Sequence, residues 1–159
     1  MQFSGKYIID APRQTVWEAL NDEEILQKTI FGCQKITWIS NSQLEIEVLV
    51  NLGVMKKSFI GYLELEDVKE AQKYTLKGKG RGGILGKVHA SADIELKDHL
   101  LDGDKSGTYL EFVAQGGGSG TIMNLGKAII GSSAQKIIDN FFERFAKAMG
   151  VEIVVFEDK

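Results

Sequence analysis

Lys87-Val88-His89-Ala90-Ser91-Ala92-Asp93-Ile94-Glu95-Leu96 is the stretch whose pattern decides the fold. Val88, Ala90, Ala92, Ile94 and Leu96 fall on one side of an extended chain, and Lys87, His89, Ser91, Asp93 and Glu95 on the other. A period of two marks a strand with one face on a core and one in water. The pattern continues in both directions. Upstream, Met55, Lys57, Phe59, Gly61, Leu63 and Leu65 alternate with Lys56, Ser58, Ile60, Tyr62, Glu64 and Glu66. Before them, Leu44, Ile46, Val48, Val50 and Leu52 alternate with Glu45, Glu47, Leu49 and Asn51. Ile36 and Trp38 mark a further strand, as do Tyr74, Leu76 and Gly78; downstream, Leu110, Phe112 and Ala114 point inward on the last long one. Short turns at Asn41-Ser42, Gly53 and Asp102-Gly103-Asp104 join these segments, so they are sequential antiparallel neighbours.

A sheet with one apolar face needs a cover. The spacing of Ile122, Leu125, Ile129, Ile137, Ile138, Phe141, Phe142, Phe145 and Met149 predicts a long helix over 119–149. At the other end, 3–9 reads as a strand. Two short helices follow. One spans 13–21, with Asp10 near its N-cap and Pro12 in its first turn. The other spans 22–30, opening on Asp22, Glu23 and Glu24 and stopped by Gly32. The expectation is an α+β fold: a curved antiparallel sheet of about seven strands wrapped around a long C-terminal helix. One domain covers 1–149, and the tail 150–159 is open between a strand and a free end.

The chain's 159 residues suffice for one domain with a sizeable core and no disulfides. The net charge is −3, which argues against a nucleic-acid partner. A single cysteine excludes an intramolecular disulfide framework and a Cys-rich zinc site, and fits a reducing, cytoplasmic compartment. The opening residues are too polar for a signal peptide, and no apolar run is long enough to span a bilayer. Glycine occurs 18 times and proline once, a balance that favours hairpins and bent strands over linkers.

Several motifs in order resemble a known family. Ala11-Pro12-Arg13-Gln14-Thr15-Val16-Trp17 resembles an Ala-Pro-x-x-x-Val-Trp opening. Phe31-Gly32-Cys33 resembles a Pro-Gly-Cys turn, with Phe31 in place of the proline. Lys57-Ser58-Phe59-Ile60-Gly61 matches a basic residue followed by Phe-x-Gly. The run Gly78-Lys79-Gly80-Arg81-Gly82-Gly83-Ile84-Leu85-Gly86 resembles a glycine-rich hairpin. Gly116-Gly117-Gly118, Leu125-Gly126 and Phe141-Phe142-x-x-Phe145 resemble the final helix and its approach. Together they resemble the CoxG-like family, accessory proteins of carbon monoxide dehydrogenase within the START-like helix-grip (SRPBCC) superfamily. The resemblance implies a carrier or adaptor, not a catalyst. It implies a bound quinone or lipid in an apolar tunnel, molybdenum hydroxylase subunits as partners, and peripheral contact with the inner face of the membrane.

Read as chemistry, the residues offer little catalytic machinery, and no metal set. Cys33 has only Lys35 nearby to lower its thiol, and His89 and His99 lie on an outward face and in a loop. Paired acids such as Glu45 and Glu47 fit a solvated strand face. Met55, Lys57, Phe59, Leu76, Val88, Phe112, Ile122, Leu125 and Ile129 are the candidate ligand-binding set; the same apolar residues could equally fill a core. Lys57 is inward by parity and would snorkel to the mouth or hold a polar head. Lys79, Arg81, Ile84, Leu85 and Lys87 form a basic rim around an apolar hairpin tip, suited to a membrane or an acidic partner. Gly116-Gly117-Gly118 reads as a hinge before the helix. Two alternatives stay open: an adaptor with a filled core, and a small cyclase- or hydrolase-like enzyme using Lys57, Cys33, Tyr7 or Tyr74.

Overall fold

The alternating segments form one antiparallel sheet in a computed structural model, which describes residues 2–30, 32–51, 56–82, 86–119 and 134–156. Its strands are β1 (Gln2–Ile9), β2 (Cys33–Trp38), β3 (Gln43–Asn51), β4 (Lys56–Lys69), β5 (Lys73–Arg81), β6 (Lys87–Leu100), β7 (Ser106–Ser119) and β8 (Ile153–Phe156). Their order in space is β2-β3-β4-β5-β6-β7-β1-β8. Every hairpin neighbour from β2 to β7 pairs with the next, as short connections demand. Helices α1 (Arg13–Leu20) and α2 (Glu23–Thr29) follow β1, and α3 (Ala134–Met149) follows β7. This is the α+β helix-grip arrangement.

Local chemistry explains the short helices. Asp22 caps α2, its carboxylate accepting from the backbone N–H of Glu24 at 2.9 Å and of Ile25 at 3.2 Å. The α1 cap is Pro12, not Asp10; its φ of −60° already suits a helix start, and it has no N–H to leave unpaired.

The parity read from β6 holds across the sheet. Tyr74, Ile94, Leu96, Leu110, Tyr7 and Ile9 face inward and are buried with Val16, Phe142 and Phe145. Phe142 is the hub. Its ring lies 4.4 Å from Tyr7 and meets Phe112 and Phe145 edge-on at 5.8 and 6.4 Å. A smaller cluster of Leu26, Ile36, Leu44 and Ile46 closes the β2–β3 end.

Four expectations change. The tail supplies β8, which pairs antiparallel with β1 over Lys6–Ile9 and so covers an otherwise open edge. The final helix does not begin at Ser119, which ends β7; the described helix starts at Ala134, and 120–133 lie outside the described residues. Gly116, Gly117 and Gly118 are not a hinge but ladder residues opposite Ala90, His89 and Val88. A Cβ on Gly117 would sit 3.1 Å from the His89 ring, so glycine lets the imidazole lie across the strand. His99 is in β6, not in a loop.

Candidate functional site

The inner face of the sheet has two unlike halves. Around Tyr7, Leu110, Ile94 and Phe112 it is packed by the aromatic stripe of α3. Toward the β5–β6 hairpin the inward positions shrink. Gly80 and Gly78 on β5, Ala90 and Ala92 on β6, and Ala114 and Gly116 on β7 are neighbours in register. Leu76 and Val88 flank them, half-buried, and Ala90 is exposed. The Phe59 ring occupies the space that a Cβ on Gly80 would need. Glycine and alanine leave a low apolar floor against which a greasy molecule can lie.

Of the candidate ligand residues, Phe59, Leu76, Val88 and Phe112 lie half-buried on this inner face. Met55, Ile122, Leu125 and Ile129 fall outside the described residues. Lys57 keeps its inward parity, opposite Val50, but is exposed. Parity assigns a face; it does not convey depth.

One polar contact at the boundary between the halves escaped the sequence reading. The Tyr7 hydroxyl donates to Asp139 Oδ1 on α3 at 2.9 Å. The phenol bends back along β1 into the space that a Cβ on Gly5 would need. Burial, then the Asp139 contact and the charge of Glu143, push the Tyr7 pKa well above its ordinary value. The available signal was an inward tyrosine, which demands a hydrogen-bond partner for its hydroxyl. Asp139 precedes Phe142 by three residues and so shares its face.

The outer face carries the basic rim. Lys79, Arg81 and Lys87 are exposed there, with His89, around a groove of about 650 Å³ floored by Ile60 and Tyr62. It runs into a second groove of about 820 Å³ that includes Glu64, Glu66 and Lys77. Lys77 is neutralised by Glu66 at 2.9 Å. Ile84 and Leu85 fall outside the described residues.

The candidate catalytic groups stay apart. Cys33 is half-buried and its thiol donates to the Lys35 carbonyl at 3.5 Å; burial raises its pKa, the wrong direction for a nucleophile. Tyr74 is buried edge-on against Trp17 at 5.0 Å, its pKa also pushed up by burial. Among the described residues no three His, Cys, Asp or Glu side chains gather as a metal set, and no helix is long and apolar enough to cross a membrane.

Comparison with known proteins fits this geometry. The family model for the CoxG subunit of carbon monoxide dehydrogenase matches residues 5–150. The chain belongs to the CoxG family. Comparison with curated proteins finds none that matches by sequence. Among solved structures, a conserved protein from Geobacillus kaustophilus is 24% identical, with a TM-score of 0.77 over 96% of this chain and 99% of that one. CV1439 from Chromobacterium violaceum is 13% identical, with a TM-score of 0.61 over 92% and 95%. TTHA0849 from Thermus thermophilus is 13% identical, with a TM-score of 0.59 over 93% and 96%. These likenesses concern the fold. CoxG membership supports an accessory role.

Proposed function

We propose that this CoxG-family chain binds a quinone or lipid on the small-residue floor between sheet and C-terminal helix. It does so as an accessory to a carbon monoxide dehydrogenase-type molybdenum hydroxylase at the inner face of the cytoplasmic membrane. The observation that carries the reading is the floor itself: Gly78, Gly80, Ala90, Ala92, Ala114 and Gly116 adjoin on three strands, beside half-buried Leu76 and Val88. A sheet evolved only to pack a helix would bury larger side chains there. Apolar burial at roughly 25 cal/mol per Å² would drive binding. Lys57, at the exposed end of the same face, would meet a polar group at the mouth. The outer rim of Lys79, Arg81 and Lys87 would dock the chain on an anionic surface.

Native mass spectrometry of the purified protein, followed by organic extraction and lipid analysis, tests the reading. A stoichiometric quinone or lipid, or uptake of added menaquinone, is expected, and Ala90→Trp should abolish it while the protein stays folded. A clean apo mass with no uptake of menaquinone or fatty acid would overturn it in favour of an adaptor with a filled core. The grooved outer face gives that second reading its own basis. An adaptor would bind its enzyme without ligand and lose it on reversing the charge of Lys79, Arg81 and Lys87.

A further inference from the structure

We infer that the outer groove is a binding site for an organic phosphate, whose phosphate group is held by Lys79, Arg81, Lys87 and His89 while its apolar body lies on Ile60 and Tyr62. The inference rests on the anionic partner assigned to the basic rim above and names its chemistry. It is independent of what the inner face holds.

The chain as a whole is acidic, with a net charge of −3, yet these cations gather in one place. In register, Arg81 on β5 lies directly opposite Lys87 on β6, and Lys79 directly opposite His89. Directly opposed residues on one face stand about 5 Å apart at Cβ, and the two rows are about 7 Å apart along the strands. Like charges so placed repel and destabilise a sheet. The flanking strands supply no counter-charge. In the same rows stand Ile60 and Tyr62 on β4 and Gly117 and Ser119 on β7, all uncharged. The nearest acids in these rows, Glu45 and Glu47 on β3, lie beyond Tyr62 and Ile60. Among the described residues no carboxylate lies within ion-pair distance of Lys79, Arg81 or Lys87. On the same face Lys77 meets Glu66 at 2.9 Å and Lys97 meets Glu95 at 3.6 Å. The four side chains are exposed around a groove of about 650 Å³, the size of a small-molecule site, with Ile60 and Tyr62 half-buried at its floor. Unopposed cations around an apolar floor suit an anion attached to an apolar body. A phosphate monoester fits better than a carboxylate, since it carries a charge of about −1.5 to −2 at neutral pH and three acceptor oxygens, enough to engage both rows at once. Arg81 can meet two of those oxygens with its paired N–H groups, and the lysines act as point charges.

The probe is naphthyl phosphate, titrated by calorimetry against the full chain beside naphthol, naphthoate and inorganic phosphate. The ester should bind at least about tenfold more tightly than each of the three, because it alone satisfies both the floor and the cations. Added salt should weaken it. Lys87→Glu, which sets an acid opposite Arg81, should abolish binding while the urea midpoint holds or rises, since a repulsive pair becomes an attractive one. Lys97→Gln, which removes a cation outside the groove, should leave binding unchanged. An ester that binds no more tightly than naphthol, or whose binding survives Lys87→Glu, would overturn the inference. Should Lys87→Glu fail to fold, Arg81→Gln carries the same expectation. Vesicles of phosphatidylcholine with and without phosphatidic acid, itself a phosphate monoester on a lipid, separate the sources of the phosphate. Acid-dependent vesicle binding that the naphthyl ester displaces places the phosphate on a headgroup, and tight ester binding without it places the phosphate on a dissolved molecule. Vesicle binding with no affinity for the ester would overturn the groove site and leave the rim's docking on an anionic surface standing.

Discussion

The two halves of the inner sheet face are built from the same strands and the same period of two, yet they do different work. Around Leu110 and Tyr7 most inward positions carry large side chains, and α3 answers with Phe142 and Phe145, both nearly inaccessible. A few strand residues further on, the inward positions are glycine and alanine, and Ala90 remains exposed. The filled half gives the fold its stability. The low half carries less buried side-chain bulk and, on the proposed reading, is where a ligand would lie. Substitutions in the first should therefore change folding, and substitutions in the second should change binding.

The strongest test of that division is Phe145→Ala. Phe145 is fully buried on Tyr7's side of the core. Truncation should cost about 3–5 kcal/mol, read as a lower urea midpoint at unchanged slope. A loss under about 1 kcal/mol would mean that this half is not the stabilising one.

Gly5→Ala probes the seam. The new methyl group would collide with the Tyr7 ring and hydroxyl, which turn back over Gly5. The ring cannot swing away without leaving Phe142 and Asp139. A cost of about 1–3 kcal/mol is expected by chemical denaturation.

Tyr7→Phe should cost about 1 kcal/mol at neutral pH, since Asp139 loses a donor while the aromatic packing survives. Its sharper signature is alkaline. Burial raises the pKa of Tyr7 and of Tyr74 above the ordinary tyrosine value of about 10. Above that pH the unfolded chain releases protons that the folded chain keeps, so the unfolded state binds fewer and stability falls as pH rises. The stabilisation is complete below about pH 10 and declines from there. Tyr7→Phe should flatten part of the decline, measured as urea midpoint against pH. An unchanged alkaline slope would show that the phenol is no harder to ionise in the fold than in the open chain.

Much of this was legible in the sequence because strands advertise themselves. The alternation from Lys87 to Leu96 assigns faces without any knowledge of the fold, and the same parity placed Leu76, Val88 and Phe112 inward. What parity cannot convey is depth. Lys57 has the right face and is exposed, because parity carries no information about how far a position lies from the core. The triglycine at 116–118 carries no side chain and so no period, and its strand character comes entirely from its partner β6. The tail was undecidable for a related reason: the edge that Ile153–Phe156 completes lies about 145 residues away in β1. The Tyr7–Asp139 contact spans a separation of 132 residues, so only the unmet need of an inward hydroxyl hinted at it.

Ala90→Leu should have the smallest effect on folding and the most telling effect on function. Ala90 points inward by register with Gly78 and Gly116 on either side, and is exposed. A leucine there meets no aromatic stripe, so stability should stay within about 0.5 kcal/mol of the native chain. The added isobutyl group would nevertheless stand in the middle of the floor. If the low half exists to hold a ligand, uptake of menaquinone should fall at least about tenfold, equivalent to about 1.4 kcal/mol of lost binding. If the low half is merely unfinished core, the same leucine should fill space and stabilise by up to about 1 kcal/mol, as cavity filling does. The two accounts thus predict different signs from a single substitution, one in a binding assay and the other in a melting curve.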